Sequence, residues 1–468
     1  MIRASRLRGK KAISPPLCLI NSTAAHRPTG IKDDTLHDNT TTVNMASLTQ
    51  KKLYVAPRAT SLPPLLPTET VPQTGPRVVQ PVLSLVKQPF GTILCGAHDI
   101  MGRGSNVNEV PHADPFTLVH FVETNNRLKP PFCAHPHCGA EVASIMLRGE
   151  EIVPWDNQNG NEKTKLLPGG IYYVSTGSGV VHDETQHLPF STRKLSQAAF
   201  VPGNNGNVPE KIGSTLTQFF QVWWNGGYIY NNTLPKCRTQ LTDPADVPLV
   251  VLPGGLGVRV LIGTLPVQET TNSAESKSNH SPPSATSPID QMGYTPILIM
   301  HCNIDPSGDA ILKVPADMNG MLFITGNDSE LIVQDEIHCS KNEISQQLVL
   351  LPPGGDTLSF KNPSSTIPCE CVVFLGIPVR KPYCKYVGYG GAMVHQSKEL
   401  CEEMMSSYEA DPKHFGRADS SAPVDFSKFK LIKGFFNKNA GGLEREDDVL
   451  ARFEWADDYV PPGEEAKV

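Results

Sequence analysis

Two short runs, Ala134-His135-Pro136-His137 and His182-Asp183-Glu184, place imidazoles and a carboxylate two residues apart. On an extended segment positions i and i+2 face the same side, so each run presents two donors to one face. Two neighbouring strands of this kind supply four ligands, His135, His137, His182 and Glu184. Imidazole and carboxylate donors suit a borderline divalent ion such as Fe(II), Mn(II), Ni(II) or Zn(II), and a six-coordinate ion would keep about two positions for water, dioxygen or substrate. One HxH pair alone is usually an ordinary polar pair. A second pair about 45 residues on, after a glycine-rich turn, alters the balance. Four inward-facing ionisable groups are costly to bury unless they share a cation.

The elements that must position these groups read as strands. Thr117–Val122, Glu141–Leu147, Ile171–Val174 and Phe219–Trp224 are apolar and strand-like, with a long polar loop at Asp156–Lys165. A second β-rich block contains Ile297–Ile304, Ala310–Val314, Gly320–Thr325, Leu331–Val333, Leu348–Leu351 and Cys371–Leu375. The run Leu166-Leu167-Pro168-Gly169-Gly170 in the first block has a counterpart, Leu350-Leu351-Pro352-Pro353-Gly354-Gly355, in the second. Pro presets φ and Gly supplies positive φ, so both are turns, and their recurrence suggests a duplicated barrel. Ser397–Tyr408 reads as a helix capped by Ser397, with Leu400, Met404 and Tyr408 on one face.

The expected organisation is a disordered extension over 1–75, a metal-binding barrel over 76–245, a second barrel without a metal site over 246–416, and a tail over 417–468. A flexible insertion is expected at about 265–292, where Thr270–Pro288 is polar and proline-rich. With 42 prolines and 38 glycines, the chain has the punctuation of many short strands rather than of a helical array. A net charge of −6 gives no sign of a nucleic-acid surface, and no apolar run of about 18 residues is present to span a membrane. Eleven cysteines without a CxxC pair read as reduced, mostly buried thiols. Arg3, Arg6, Arg8, Lys10, Lys11 and Arg27 precede the first acid, Asp33. That is the composition of a mitochondrial or plastid transit peptide. It equally suits a disordered extension, or a start upstream of Met45, on a protein of the cytoplasm or nucleus.

The stretch His135-Pro-His-Cys-Gly-Ala-Glu141, then Gly149, Pro168-Gly169-Gly170 and Thr176-Gly-Ser-Gly-Val-Val-His-Asp-Glu184, closely resembles the pirin family of bicupins. Asp114-Pro115-Phe116 resembles that family's N-terminal strand signature, and a fainter likeness continues to about Gly416. The resemblance implies an all-β fold of two stacked cupin-type barrels with a short C-terminal helix and disordered terminal extensions. It also implies iron, as Fe(II), at the positions matching His135, His137, His182 and Glu184. Two activities come with the family: quercetin 2,3-dioxygenase chemistry on a small phenolic substrate, and co-regulation of transcription through a protein partner. It further implies that Glu141 is not a ligand, leaving it as a supporting residue next to the site.

The sequence departs from the family where an arginine commonly follows the second histidine and an aromatic precedes the glutamate; here Cys138 and Ala140 stand. One residue from His137 on a strand, Cys138 faces away from the metal and is expected to pack. Loss of the arginine argues against a partner-binding surface built on it. The second block has Ala316-Asp317-Met318-Asn319 at the expected HxH position and no His-x-Glu after Gly354-Gly355; its His301 and His338 are isolated. Two functions therefore compete. One is a dioxygenase in which Glu184 is the catalytic base for a substrate hydroxyl. The other is a non-enzymatic iron or redox sensor that binds protein. Neither requires a membrane or nucleic acid, and the chain is expected to be a monomer.

Overall fold

The computed structural model describes residues 53–55, 74–81, 86–88, 91–95, 113–124, 134–149, 151–158, 165–186, 217–231, 233–266, 285–289, 291, 294–326, 329–340, 347–381, 383–388 and 391–417. The basic N-terminal segment, most of the polar insertion and the tail beyond 417 lie outside the described residues. Among the described residues, no helix is long and apolar enough to cross a membrane.

Two-residue hydrophobic periodicity yields strands close to those expected, including Phe116–Thr124, Glu141–Arg148, Ile171–Ser175, Thr217–Trp224, Ile297–Ile304 and Cys369–Gly376. The first barrel is made of two sheets. One has the order Arg238–Thr242, Ile171–Ser175, Glu141–Arg148, Thr217–Trp224, Phe116–Thr124, Gly91–Cys95, Val86–Gln88. The other has the order Leu53–Val55, Cys384–Gly388, Gly391–His395, His135–Cys138, Val180–Gln186, Val153–Asp156. The second barrel pairs a seven-stranded sheet with a four-stranded one.

The division at residue 245 is crossed at both ends of the described chain. Strand Gln80–Pro81 pairs with Leu348–Leu351 of the second barrel. Nearby Arg77 is buried there and donates to the carbonyls of Pro315 and Met318. Conversely, Cys384–Gly388 and Gly391–His395, expected in the second barrel, join the first, where Gly391–His395 runs parallel to the histidine strand. Leu53–Val55, inside the stretch expected to be disordered, pairs with Cys384–Gly388. No local pattern in these segments specifies a partner, because an edge pairing is decided by which sheet margin is open. The insertion is also partly ordered, since Ala285–Thr286 pairs with Thr264–Leu265.

Strand alternation sends one set of side chains into each barrel and the other set between them. Phe121, Phe220, Val222 and Trp224 of the first barrel meet Ile299, Phe323, Val372 and Phe374 of the second in one apolar layer. Phe220 lies 5.0 Å from Phe374 by ring centroid, edge to face. At its margin Arg148 ion-pairs with Glu370, which also bonds His301 Nε2 at 2.7 Å. Helix Lys398–Ala410 begins at Ser397, whose Oγ accepts from Leu400 N at 3.3 Å. Its buried stripe is Cys401, Met405 and Tyr408, so the expected Leu400 and Met404 sit at the flank. The small Cys401 allows the closer approach, its thiol reaching the carbonyls of Cys384 and Met393.

The parallel pairing depends on Gly391. A Cβ there would lie 1.7 Å from the carbonyl oxygen of Pro136, between the two histidines, and backbone cannot yield that far. Gly391→Ala is expected to destabilise the protein by about 2–4 kcal/mol. Gly257→Ala, whose Cβ would meet nothing closer than 3.8 Å, should stay within about 1 kcal/mol, the usual cost of glycine against alanine. Thermal unfolding followed by circular dichroism distinguishes the two.

Candidate metal centre

The histidine strand His135–Cys138 pairs antiparallel with Val180–Gln186, and His182 stands directly opposite His135. The turn that sets this register is held by Thr176, whose Oγ1 accepts from Ala140 N at 3.0 Å and donates to Ala140 O at 2.6 Å. Gly139 N adds a bond to Gly177 O at 3.0 Å. Both glycines take positive φ, 76° and 47°, which a side chain would strain.

His135, His137 and His182 are buried and converge, with one ring nitrogen of each within 4.8 Å of the others. The Nε2 atoms of His135 and His182 are 3.0 Å apart. Neutral imidazoles at that separation either share one proton or direct both lone pairs at a common cation. Burial pushes His182 down to about 3, so its ring is neutral and competent to donate to a metal. His137 packs edge to face on Trp223 at 4.6 Å between centroids. The donor set of three buried imidazoles fits a divalent metal ion.

Glu184 lies beside this triad, its Oε2 3.9 Å from His135 Nε2. Its Oε1 accepts from Ser144 Oγ at 2.8 Å and from Gln221 Nε2 at 3.1 Å. Burial raises its pKa, opposed by His135 and those two hydrogen bonds. Oε1 is thus held by the protein and lies 3.6 Å from His182 Nδ1, while Oε2 faces His135.

Glu141 is turned the other way. It shares its strand with Ser144 but sits on the opposite face, where it accepts from Tyr173 and, at 2.9 Å, from Ser175. It therefore supports the barrel wall and has no bond to the metal centre. Cys138 is buried against Trp155, Met393 and Cys401 outside the first barrel, its thiol 3.3 Å from Gly177 O.

The first barrel's interior holds further polar groups that the sequence reading passed over. Asp156 stands opposite His182 on the other flanking strand and accepts from Tyr172 at 3.0 Å. His120 is the cross-strand partner of Gln221, and burial pushes it down to about 4. Lys385 donates to Thr117 O at 2.8 Å and lies over Trp223 at 6.0 Å; burial pushes it down to about 7. A usable signal existed: Ser144, Gln221 and His120 are lone polar residues on the inward phase of otherwise apolar strands. In the second barrel the corresponding interior is filled by residues such as Leu322, Met300, Leu358, Phe360 and Met318, the last lying where an HxH pair was sought.

Two stacked barrels with a three-histidine cluster in the first define a bicupin with one candidate metal centre. The pirin family profile matches residues 98–198. A pirin-like protein of Arabidopsis thaliana is 22% identical over 311 residues, 66% of this chain and 83% of its own length. A Pseudomonas aeruginosa protein named as a candidate quercetin 2,3-dioxygenase is 26% identical over 152 residues, 32% of this chain. The match spans 43% of that relative's length. Among solved structures, a quercetin 2,3-dioxygenase from Acinetobacter baumannii aligns over 73% of this chain and 98% of its own, at 16% identity and a TM-score of 0.48. Residues 98–198 thus carry the pirin match, and over about two thirds of its length the chain is similar to a pirin-like protein.

Burial pushes Glu141 up to about 7 from a usual value of 4.5, opposed by its bonds from Tyr173, Ser175 and Tyr228. A raised carboxyl contributes stability that is complete below about 4.5 and is lost as pH rises through about 7. Glu141→Gln, which keeps an acceptor for these hydroxyls, should gain relative to the parent between pH 5 and pH 8.5. The gain should be at most about 3 kcal/mol, measured by denaturant unfolding at both pH values. A difference independent of pH would contradict this account.

Proposed function

We propose that the first barrel is an Fe(II)-dependent dioxygenase centre acting on quercetin-like phenolic substrates, with His135, His137, His182 and Glu184 as the ligands. The observation that carries it is the convergence of three buried imidazoles beside a carboxylate with one oxygen already satisfied. The family, and the name borne by the Pseudomonas relative, support the choice of substrate class.

Bound there, Fe(II) would serve as Lewis acid and template for an enol-bearing aromatic substrate and dioxygen. The rest falls to the chain's own groups. Ser144 and Gln221 hold Glu184 Oε1, leaving Oε2 to take the substrate hydroxyl proton. Trp223 holds the His137 ring against rotation. The apolar wall of Val142, Met146, Val174 and Phe219 keeps bulk water from these groups.

Fe(II)-loaded protein should consume oxygen with quercetin, and His182→Ala should abolish both metal retention and turnover. Glu184→Gln should lower turnover by about 10²–10⁴-fold, the usual worth of a positioned base. Anaerobic loading, metal analysis and an oxygen electrode test all three. Absence of turnover in fully loaded parent protein would overturn the proposal.

A further inference from the structure

The second barrel has its own cluster of reactive atoms. Cys302, Cys339, Cys369 and Cys371 all contribute to its otherwise apolar interior. All are free thiols. Cys302 and Cys371 are direct partners on the adjacent antiparallel strands Ile297–Ile304 and Cys369–Gly376. Their side chains lie close enough to interact, and both residues are fully buried. Directly opposite residues of an antiparallel pair have Cα atoms about 4.5–5.5 Å apart, inside the roughly 4.4–6.8 Å that a disulfide spans. Cys369 lies two residues earlier on the same face as Cys371, and Cys339 is close enough to both to raise their pKa values.

We propose that Cys302 and Cys371 are a redox-active pair that a small uncharged peroxide closes to a disulfide inside the second barrel. A shared soft metal is the less favoured occupant. Three ligand atoms within 4.8 Å of one another are found, among the described residues, at the histidine triad and not among these thiols. The oxidant must be small and neutral because every sulfur is buried. The steps balance. One thiol breaks the O–O bond of hydrogen peroxide, becoming a sulfenic acid and releasing water. The second thiol attacks that sulfur, forming the S–S bond and releasing a second water. Two electrons pass from the two sulfurs to peroxide.

The bond would join two strands whose opposite faces carry Ile297, Ile299, Val372 and Phe374 into the layer between the barrels. Oxidation should therefore raise the thermal midpoint of the whole protein. The test treats the full chain with hydrogen peroxide, quenches it, unfolds it in an alkylating agent and maps the peptides by mass spectrometry. The expected result is a Cys302–Cys371 linkage two hydrogens lighter, reversed by dithiothreitol, with a midpoint several degrees higher. Cys302→Ala should lose the rise in midpoint; should that variant fail to fold, the parent's peptide map still decides. Full alkylation of both residues after oxidation, or a linkage confined to Cys369 and Cys339, would overturn the assignment.

Discussion

The site rests on one register: His182 faces His135 across two antiparallel strands. The side-chain period of a strand is two, so a slip of one residue would send His182 out and Val181 in. Several bonds hold the register together. Thr176 clamps Ala140 at the turn, and Asn157 Oδ1 accepts from Val181 N at 3.1 Å on the other flank. Gly391 lets the C-terminal strand lie against Pro136 from the opposite side. The histidine strand is therefore held on both edges, and its two imidazoles have one direction to point.

That constraint explains why buried ionisable groups are tolerated in the first barrel. Imidazoles lose their charge on burial, as His182 and His120 do, and the carboxylate of Glu184 keeps two neutral donors on one oxygen. Each isolated group would be a liability in a low-dielectric interior. Gathered around one point, they become a donor set for a divalent ion. The second barrel follows the other course, filling the equivalent space with leucine, methionine, phenylalanine and cysteine.

Much of the first barrel was legible in the sequence because its signals are local. The HxH and HxE spacings, the glycine turns and the alternating strands each need only a few neighbouring residues to be read, and the opposed pair His135 and His182 follows from them. Glu141 was legible only in part: family likeness excluded it as a ligand, while its actual partners, Tyr173 and Ser175, lie more than 30 positions away. The exchange of terminal strands between barrels was not legible, because Gln80–Pro81 and Gly391–His395 are short and their partners are set by open sheet edges. On the helix face Tyr408 is buried as expected, while Cys401 and Met405 take the places expected for Leu400 and Met404. Periodicity gives the spacing of a stripe, but the small size of Cys401 decides which stripe packs closest.

The strand Thr217–Trp224 shows why the second barrel matters to the centre in the first. Phe220, Val222 and Trp224 point outward into the layer between the barrels, against Phe323 and Phe374. Gln221 and Trp223 point inward, one bonded to Glu184 and the other packed on His137. Both faces of one strand are thus committed, one to the partner barrel and one to the donor set. Aromatic packing on the outer face limits how far the strand can shift, and that limit passes directly to the residues that orient Glu184 and His137. The second barrel can therefore govern the geometry of the metal centre, by fixing the wall on which the centre is supported.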